Sequence, residues 1–87
     1  MITDSNRKFL AEFTARLAFS DFYAVNGKTT KKTIVKHYKP YSLSDETKDA
    51  QQMYAMACRA EHTREEEETI KAYILKAKFR RNELRYC

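Results

Sequence analysis

The chain has 87 residues, 43% of them hydrophobic, and its 17 basic and 12 acidic side chains leave a net charge of +5. This length predicts one small domain spanning residues 1–87, and a single glycine and a single proline exclude the turn-rich β-sandwich and barrel folds. The two cysteines, Cys58 and Cys87, do not make a disulfide framework, and neither a signal peptide nor an apolar run of the ~20 residues that span a membrane is present, so a cytoplasmic setting is expected.

The first predicted helix begins at Asp4 or Ser5, because either side chain can cap a helix. Its apolar residues recur at a spacing that places them on one helical face. Asn26-Gly27 is a natural end for this helix, since glycine tolerates the left-handed backbone that many helix ends use. The inward-facing residues are predicted to be Phe9, Leu10, Phe13, Leu17, Phe22 and Val25.

The central segment has two interpretations. Asn-Gly is also the strongest two-residue hairpin signal, which would make residues 22–25 and 33–38 paired strands. As a helix, the segment separates Ile34, Val35 and Tyr38 from the lysines at positions 28, 32 and 36, whereas a strand mixes these two sets. The helix is favoured, and an α+β fold with a hairpin around Asn26-Gly27 is the alternative.

Two more helices follow Pro40, which ends the central segment because the residue before a proline disfavours the helical region. Ser42 or Ser44 is predicted to cap the next helix, whose inner face is Met53, Met56, Ala57 and Ala60. Thr63 and Glu66 then fit a capping box. The final helix runs from there toward Leu84 with Ile70, Tyr73, Ile74 and Ala77 facing inward. The fold class is therefore mostly α, a compact single domain of three to four helices.

The letters Gly27-Lys28-Thr29 end like a phosphate-binding loop, but the rest of that motif is missing. The loop needs a second glycine five positions earlier, where this chain has Phe22, and Gly27 is its only glycine. We therefore interpret Gly27 as a helix stop or turn followed by a solvated lysine.

No other motif indicates catalysis or a metal site. Cys58 and His62 are four residues apart and can share a helical face, but a structural zinc ion normally needs four protein ligands. A buried or half-buried thiol beside an exposed histidine is the simpler interpretation. His37 offers a general base, yet no second catalytic partner is identifiable. The chain is therefore predicted to be no enzyme and to need no metal or cofactor.

Two basic clusters remain. The first is a central segment without any acid, and the second is near the C-terminus, where Glu83 is the only opposing charge. Basic side chains bind the phosphates of nucleic acids, and tyrosines that lie between basic residues can stack on unpaired nucleobases. The predicted nucleic-acid contacts are Lys28, Lys31, Lys32, Lys36, His37, Tyr38, Lys39, Tyr41, Lys78, Arg80, Arg81 and Arg85.

The residue types in the central cluster favour contacts with the nucleic-acid backbone over reading of the base edges. After Asn26 no Arg, Asn or Gln occurs until Gln51, and lysine is a point charge that gives little direct readout of base edges. We therefore expect a small regulatory protein that contacts the phosphates of RNA or of single-stranded or duplex DNA. The alternative is an inhibitor or adaptor, of the kind found in phages and mobile elements, that docks its basic surface on an acidic host protein.

Overall fold

Three helices make up the described part of the chain: α1 at Asp4–Asn26, α2 at Asp45–Ala57 and α3 at Arg64–Arg81. The computed structural model describes residues 2–27 and 40–84, and no strand lies within these two ranges. The predicted mostly α fold is therefore confirmed.

Each helix begins at a side chain that accepts a hydrogen bond from the first turn. The Thr3 hydroxyl accepts from the Asn6 N–H at 3.1 Å, so the prediction of Asp4 or Ser5 as the cap was wrong by one or two residues. Ser44 caps α2 by accepting from the Thr47 N–H at 3.3 Å. Thr63 caps α3 with the full predicted capping box, because the Glu66 carboxylate also accepts from the Thr63 N–H at 2.9 Å. Caps of this kind contribute about 1 kcal/mol each.

The helix ends correct three predictions. Residues 22–25 belong to α1, so the hairpin alternative is wrong, while residues 33–38 lie outside the described residues. Helix α2 ends at Ala57, which leaves Ala60 exposed beyond it rather than on its inner face. Helix α3 ends at Arg81 and stops short of Leu84.

The helices run up, down and up, which gives the molecule two distinct ends. The Arg7 guanidinium donates to the Ala57 carbonyl at 2.7 Å, so the start of α1 meets the end of α2. At the other end, Asp21 accepts a hydrogen bond from the Ser44 N–H at 2.9 Å, and Arg80 pairs with Glu46. The C-terminal ends of α1 and α3 and the N-terminal end of α2 therefore meet, and we call this the junction end.

The core lies along the contact of all three helices. One cluster of buried side chains contains Leu10, Ala57, Ile70 and Ile74 together with Ile2, which is 3% exposed and was not predicted. The second cluster, nearer the junction end, contains Phe13, Leu17, Ala50 and Ala77. The predicted inner faces of α1 and α3 are thus confirmed, except that Val25 is 45% exposed, because it lies in the last turn of α1, beyond both clusters.

Candidate nucleic-acid interface

The positive charge of the chain is concentrated outside the three-helix body. Residues 2–27 and 40–84 hold all 12 acidic side chains but only 11 of the 17 basic ones. The other six are the five lysines between Lys28 and Lys39, and Arg85. The body is therefore nearly neutral, and the excess positive charge belongs to the two segments that follow Gly27 and Leu84.

Both segments connect to the body at the junction end. The central segment leaves from Gly27, which directly follows α1, and returns at Pro40, four residues before the cap of α2. The C-terminal segment leaves from Leu84, which packs against the core cluster nearest the junction end. The two basic segments, which are far apart in the sequence, thus attach at the same end of the molecule.

Asp21 ties together the two sites where the central segment attaches. Its Oδ2 atom accepts hydrogen bonds from the Ser44 N–H at 2.9 Å and from the Thr47 hydroxyl at 2.6 Å. The Thr47 side chain is fully buried, and the Ser44 hydroxyl lies 3.0 Å from its oxygen. A buried hydroxyl needs such a partner, so this network holds the end of α1 against the start of α2.

Tyr41 makes a second link at the same place. Its ring meets the edge of the Phe22 ring, with centroids 5.5 Å apart and planes at 83°. Edge-to-face pairs of this kind are favourable, and Phe22 is only 8% exposed, although it belongs to neither core cluster. Tyr41 remains 36% exposed, so part of its ring is accessible to a ligand.

Two of the predicted C-terminal cations lie over an aromatic ring. The Arg81 guanidinium carbon is 5.3 Å from the centroid of Phe9, and Lys78 Nζ is 6.0 Å from it. Cation–π contacts at exposed sites are worth about 0.5–1 kcal/mol. Neither cation has a carboxylate partner among the described residues, so both charges are available to an anion.

Arg80 has a different environment from its neighbours. Its Nε and Nη2 atoms donate to the two oxygens of Glu46 at 2.8 and 3.2 Å, and Nη1 donates to Glu83 at 3.0 Å. The hydrogen bonds to Glu46 raise the pKa of the Arg80 guanidinium. Arg80 thus connects α3 to α2, and its charge is balanced by two carboxylates. Two residues along a helix are about 200° apart, so the sequence itself separates Arg80 from the face of Lys78.

The remaining eight predicted contact residues lie outside the described residues: Lys28, Lys31, Lys32, Lys36, His37, Tyr38, Lys39 and Arg85.

Sequence reasoning missed an exposed apolar row on the outer face of α3. Phe79 is 76% exposed and Leu75 is 63% exposed, and they are one helical turn apart. The signal was available, because both residues lie opposite the predicted inner face of Ile70, Ile74 and Ala77.

A groove of about 360 Å³ lies between α2 and α3. The Phe13, Tyr73 and Ala77 side chains form its apolar part, and its charged groups are two carboxylates and two cations. Burial raises the pKa of the Tyr73 hydroxyl, and the nearby carboxylates of Glu46 and Asp49 raise it further. Because the opposite charges balance, the groove does not attract phosphate.

Cys58 and His62 do not share a helical face, because α2 ends at Ala57. Cys58 is an exposed free thiol, so the expectation of a buried or half-buried thiol was wrong. His62 is half-buried, not exposed, and its Nε2 lies 2.7 Å from the Met56 carbonyl oxygen. Within residues 2–27 and 40–84 no three His, Cys, Asp or Glu side chains are grouped as a metal would require.

Among the helices described, none is both long and apolar enough to cross a membrane. No protein-family model, curated protein or solved structure matches the chain.

Proposed function

We propose that this protein binds nucleic-acid phosphates with the basic segments at its junction end, in a regulatory role without catalysis. The observation that carries the proposal is the separation of charge: a nearly neutral three-helix body adjoins two segments that hold all of the excess positive charge. Because both segments attach at one end, we propose that their charges act together there and attract a polyanion more strongly than the same charge spread over the surface would.

The described C-terminal part of α3 supports the proposal with two accessible cations, whose charged groups lie over the Phe9 ring. Lys78 and Arg81 are exposed and unpaired with carboxylates among the described residues. Arg80 contributes indirectly, since its pairing with Glu46 neutralises an acid that would otherwise face the same end. In this proposal Tyr41 offers the exposed part of its ring beside the lysines.

The experiment measures the salt dependence of binding. For the wild-type chain, five phosphate contacts predict a slope of log affinity against log salt of about −3.5 to −4.5. Replacing Lys28, Lys32 and Lys36 by glutamine should flatten that slope by about two to three units, because each lost contact releases fewer counterions. Fluorescence anisotropy with a labelled oligonucleotide provides the affinities.

A matched control keeps the number of removed charges constant. Lys8, Arg64 and Lys71 are exposed and lie outside both basic clusters and outside the junction end. Glutamine at these three positions should leave the slope close to that of the wild type. Equal slopes for the two triple variants, or a wild-type slope near zero, would contradict the proposal.

The second candidate is an inhibitor or adaptor that docks on an acidic host protein. It is favoured by the composition of the central segment, because five lysines with no arginine supply charge but few geometrically specific hydrogen bonds. Such a protein would be recovered with one defined partner after nuclease treatment. Its complex would be lost in the variant with glutamine at 28, 32 and 36, while the oligonucleotide slope stayed near zero.

A further inference from the structure

The outer face of α3 exposes two large apolar side chains. Phe79 and Leu75 are 76% and 63% exposed, and their spacing of four residues places them side by side on the helix. Neither contributes to the two core clusters. Folding alone therefore gives no reason for a phenylalanine at position 79.

Near this apolar row of Leu75 and Phe79 lie exposed lysines and two glutamates that form ion pairs with arginines. Lys76 and Lys78 are exposed and lie on opposite flanks of the row, as their spacing from Phe79 requires. Two acids near this row are paired: Glu68 with Arg64 at 3.4 Å and Glu83 with Arg80 at 3.0 Å. The exposed Phe79 ring thus lies between two exposed lysines in the last turn of α3, at the junction end.

This combination fits an unpaired nucleotide. A base has two apolar π faces that stack on aromatic rings, and its phosphates lie on either side of it along the strand. In a duplex both faces of each base are covered by neighbouring base pairs, so a surface phenylalanine meets only edges and backbone. A lysine-flanked phenylalanine therefore discriminates between the two forms.

Resting on the proposed function, we propose that the ligand is single-stranded nucleic acid, and that Phe79 stacks on one unpaired base while Lys76 and Lys78 contact the adjoining phosphates. Leu75 packs against the same nucleotide or the next one. Since every base offers a π face, this contact selects for strandedness and not for sequence.

A tryptophan at position 79 reports the contact directly. The chain contains no tryptophan, so Phe79→Trp introduces a single indole whose emission a stacked base quenches. Tyr54→Trp is the matched control, because Tyr54 is 37% exposed on α2, near Cys58 and far from the junction end. The probes are labelled oligo(dT), oligo(rU) and a duplex of equal length, with anisotropy followed in the same titration.

The expected result is saturable quenching of Phe79→Trp by both single strands, weak quenching by the duplex, and constant emission of Tyr54→Trp. Phe79→Leu, which keeps an apolar side chain but removes the ring, should weaken single-strand binding by about 5- to 150-fold. It should leave duplex affinity unchanged. Because Phe79 is exposed, either change should leave the fold intact, and circular dichroism checks this.

The outcomes separate this inference from the function on which it rests. Salt-dependent binding by anisotropy, without quenching at position 79 and without an effect of Phe79→Leu, overturns the stacking contact and leaves phosphate binding standing. Equal quenching by single strand and duplex overturns the selectivity. Absence of any salt-dependent binding overturns both proposals, and the Leu75–Phe79 row would then be assigned to a protein partner.

Discussion

Replacing Asp21 by alanine tests the network that joins α1 to α2. The carboxylate accepts hydrogen bonds from the Thr47 hydroxyl at 2.6 Å and from the Ser44 N–H at 2.9 Å. Water replaces the carboxylate at Ser44, which is exposed, but cannot do so at Thr47, whose side chain is fully buried. The loss is therefore dominated by one buried hydroxyl that loses a charged acceptor.

The magnitude follows from these two environments. A hydrogen bond to a charged group contributes about 1.5–3 kcal/mol, and after its loss the Thr47 hydroxyl can donate only to the neutral Ser44 hydroxyl, 3.0 Å away. With a small share from the exposed Ser44 N–H, we expect Asp21→Ala to lower the free energy of unfolding by about 2–3 kcal/mol. For a domain of this size, that corresponds to a fall in Tm of about 10–20 °C.

Urea unfolding followed by circular dichroism measures the effect. Asp45→Ala is the matched control, because Asp45 lies in the first turn of α2 and its loss should cost only about 0.3–1 kcal/mol through the helix dipole. Thr47→Val completes a double-mutant cycle with Asp21→Ala, with an expected coupling of about 1 kcal/mol or more. If Asp21→Ala costs no more than Asp45→Ala, or if the cycle is additive, the network does not hold the junction end.

Two other predictions concern the backbone and the pH dependence of stability. Gly27 has φ 74° and ψ 173°, a region almost restricted to glycine, so Gly27→Ala should lower the free energy of unfolding by about 1–3 kcal/mol. A new Cβ would meet nothing within 4 Å, so an unchanged Tm would show that the strain is absent. The pKa of the Tyr73 hydroxyl is raised above its ordinary value of 10.0 in the folded protein. As pH rises, the Tyr73 hydroxyl therefore ionises first in the unfolded chain, which lowers the free energy of unfolding. This loss begins at about pH 10 and continues until the folded-state pKa is passed. The free energy of unfolding of Tyr73→Phe should therefore fall less steeply above about pH 10 than that of the wild type. Urea unfolding of both proteins at several pH values measures this, and an identical pH dependence would contradict the raised pKa of Tyr73.

Local features of the chain were predictable because they depend on neighbours within a few residues. The capping box of Thr63 and Glu66, the inner face of α3 and the end of α1 at Asn26 follow from side-chain types and a 3.6-residue period. The errors are local as well. Thr3 competes with Asp4 and Ser5 as a cap, and all three residue types accept the same hydrogen bond.

The candidate interface was predictable only as a list of charges. Composition located the lysines between Lys28 and Lys39 and the basic residues from Lys76 onward. The exposed row of Leu75 and Phe79 was missed, although its spacing carried the signal. Charge and period do not specify which side chains meet across helices. Arg80 and Arg81 are adjacent arginines in the same basic cluster, yet Arg80 pairs with Glu46 and Arg81 lies over the Phe9 ring.

The placement of Gly27, Pro40 and Leu84, where the two basic segments attach, at one end of the molecule depended on tertiary structure alone. Their separation in the sequence carries no information about distance, since the path of the chain is set by how three amphipathic helices bury their apolar faces together. Helix α2 packs antiparallel to α1, so it ends near the start of α1. Helix α3 then runs parallel to α1 and ends near the C-terminal end of α1. The contacts of Asp21 with Ser44 and of Arg80 with Glu46 hold that arrangement. Local propensity makes the helices, and only the burial of their shared core decides which of their ends lie together.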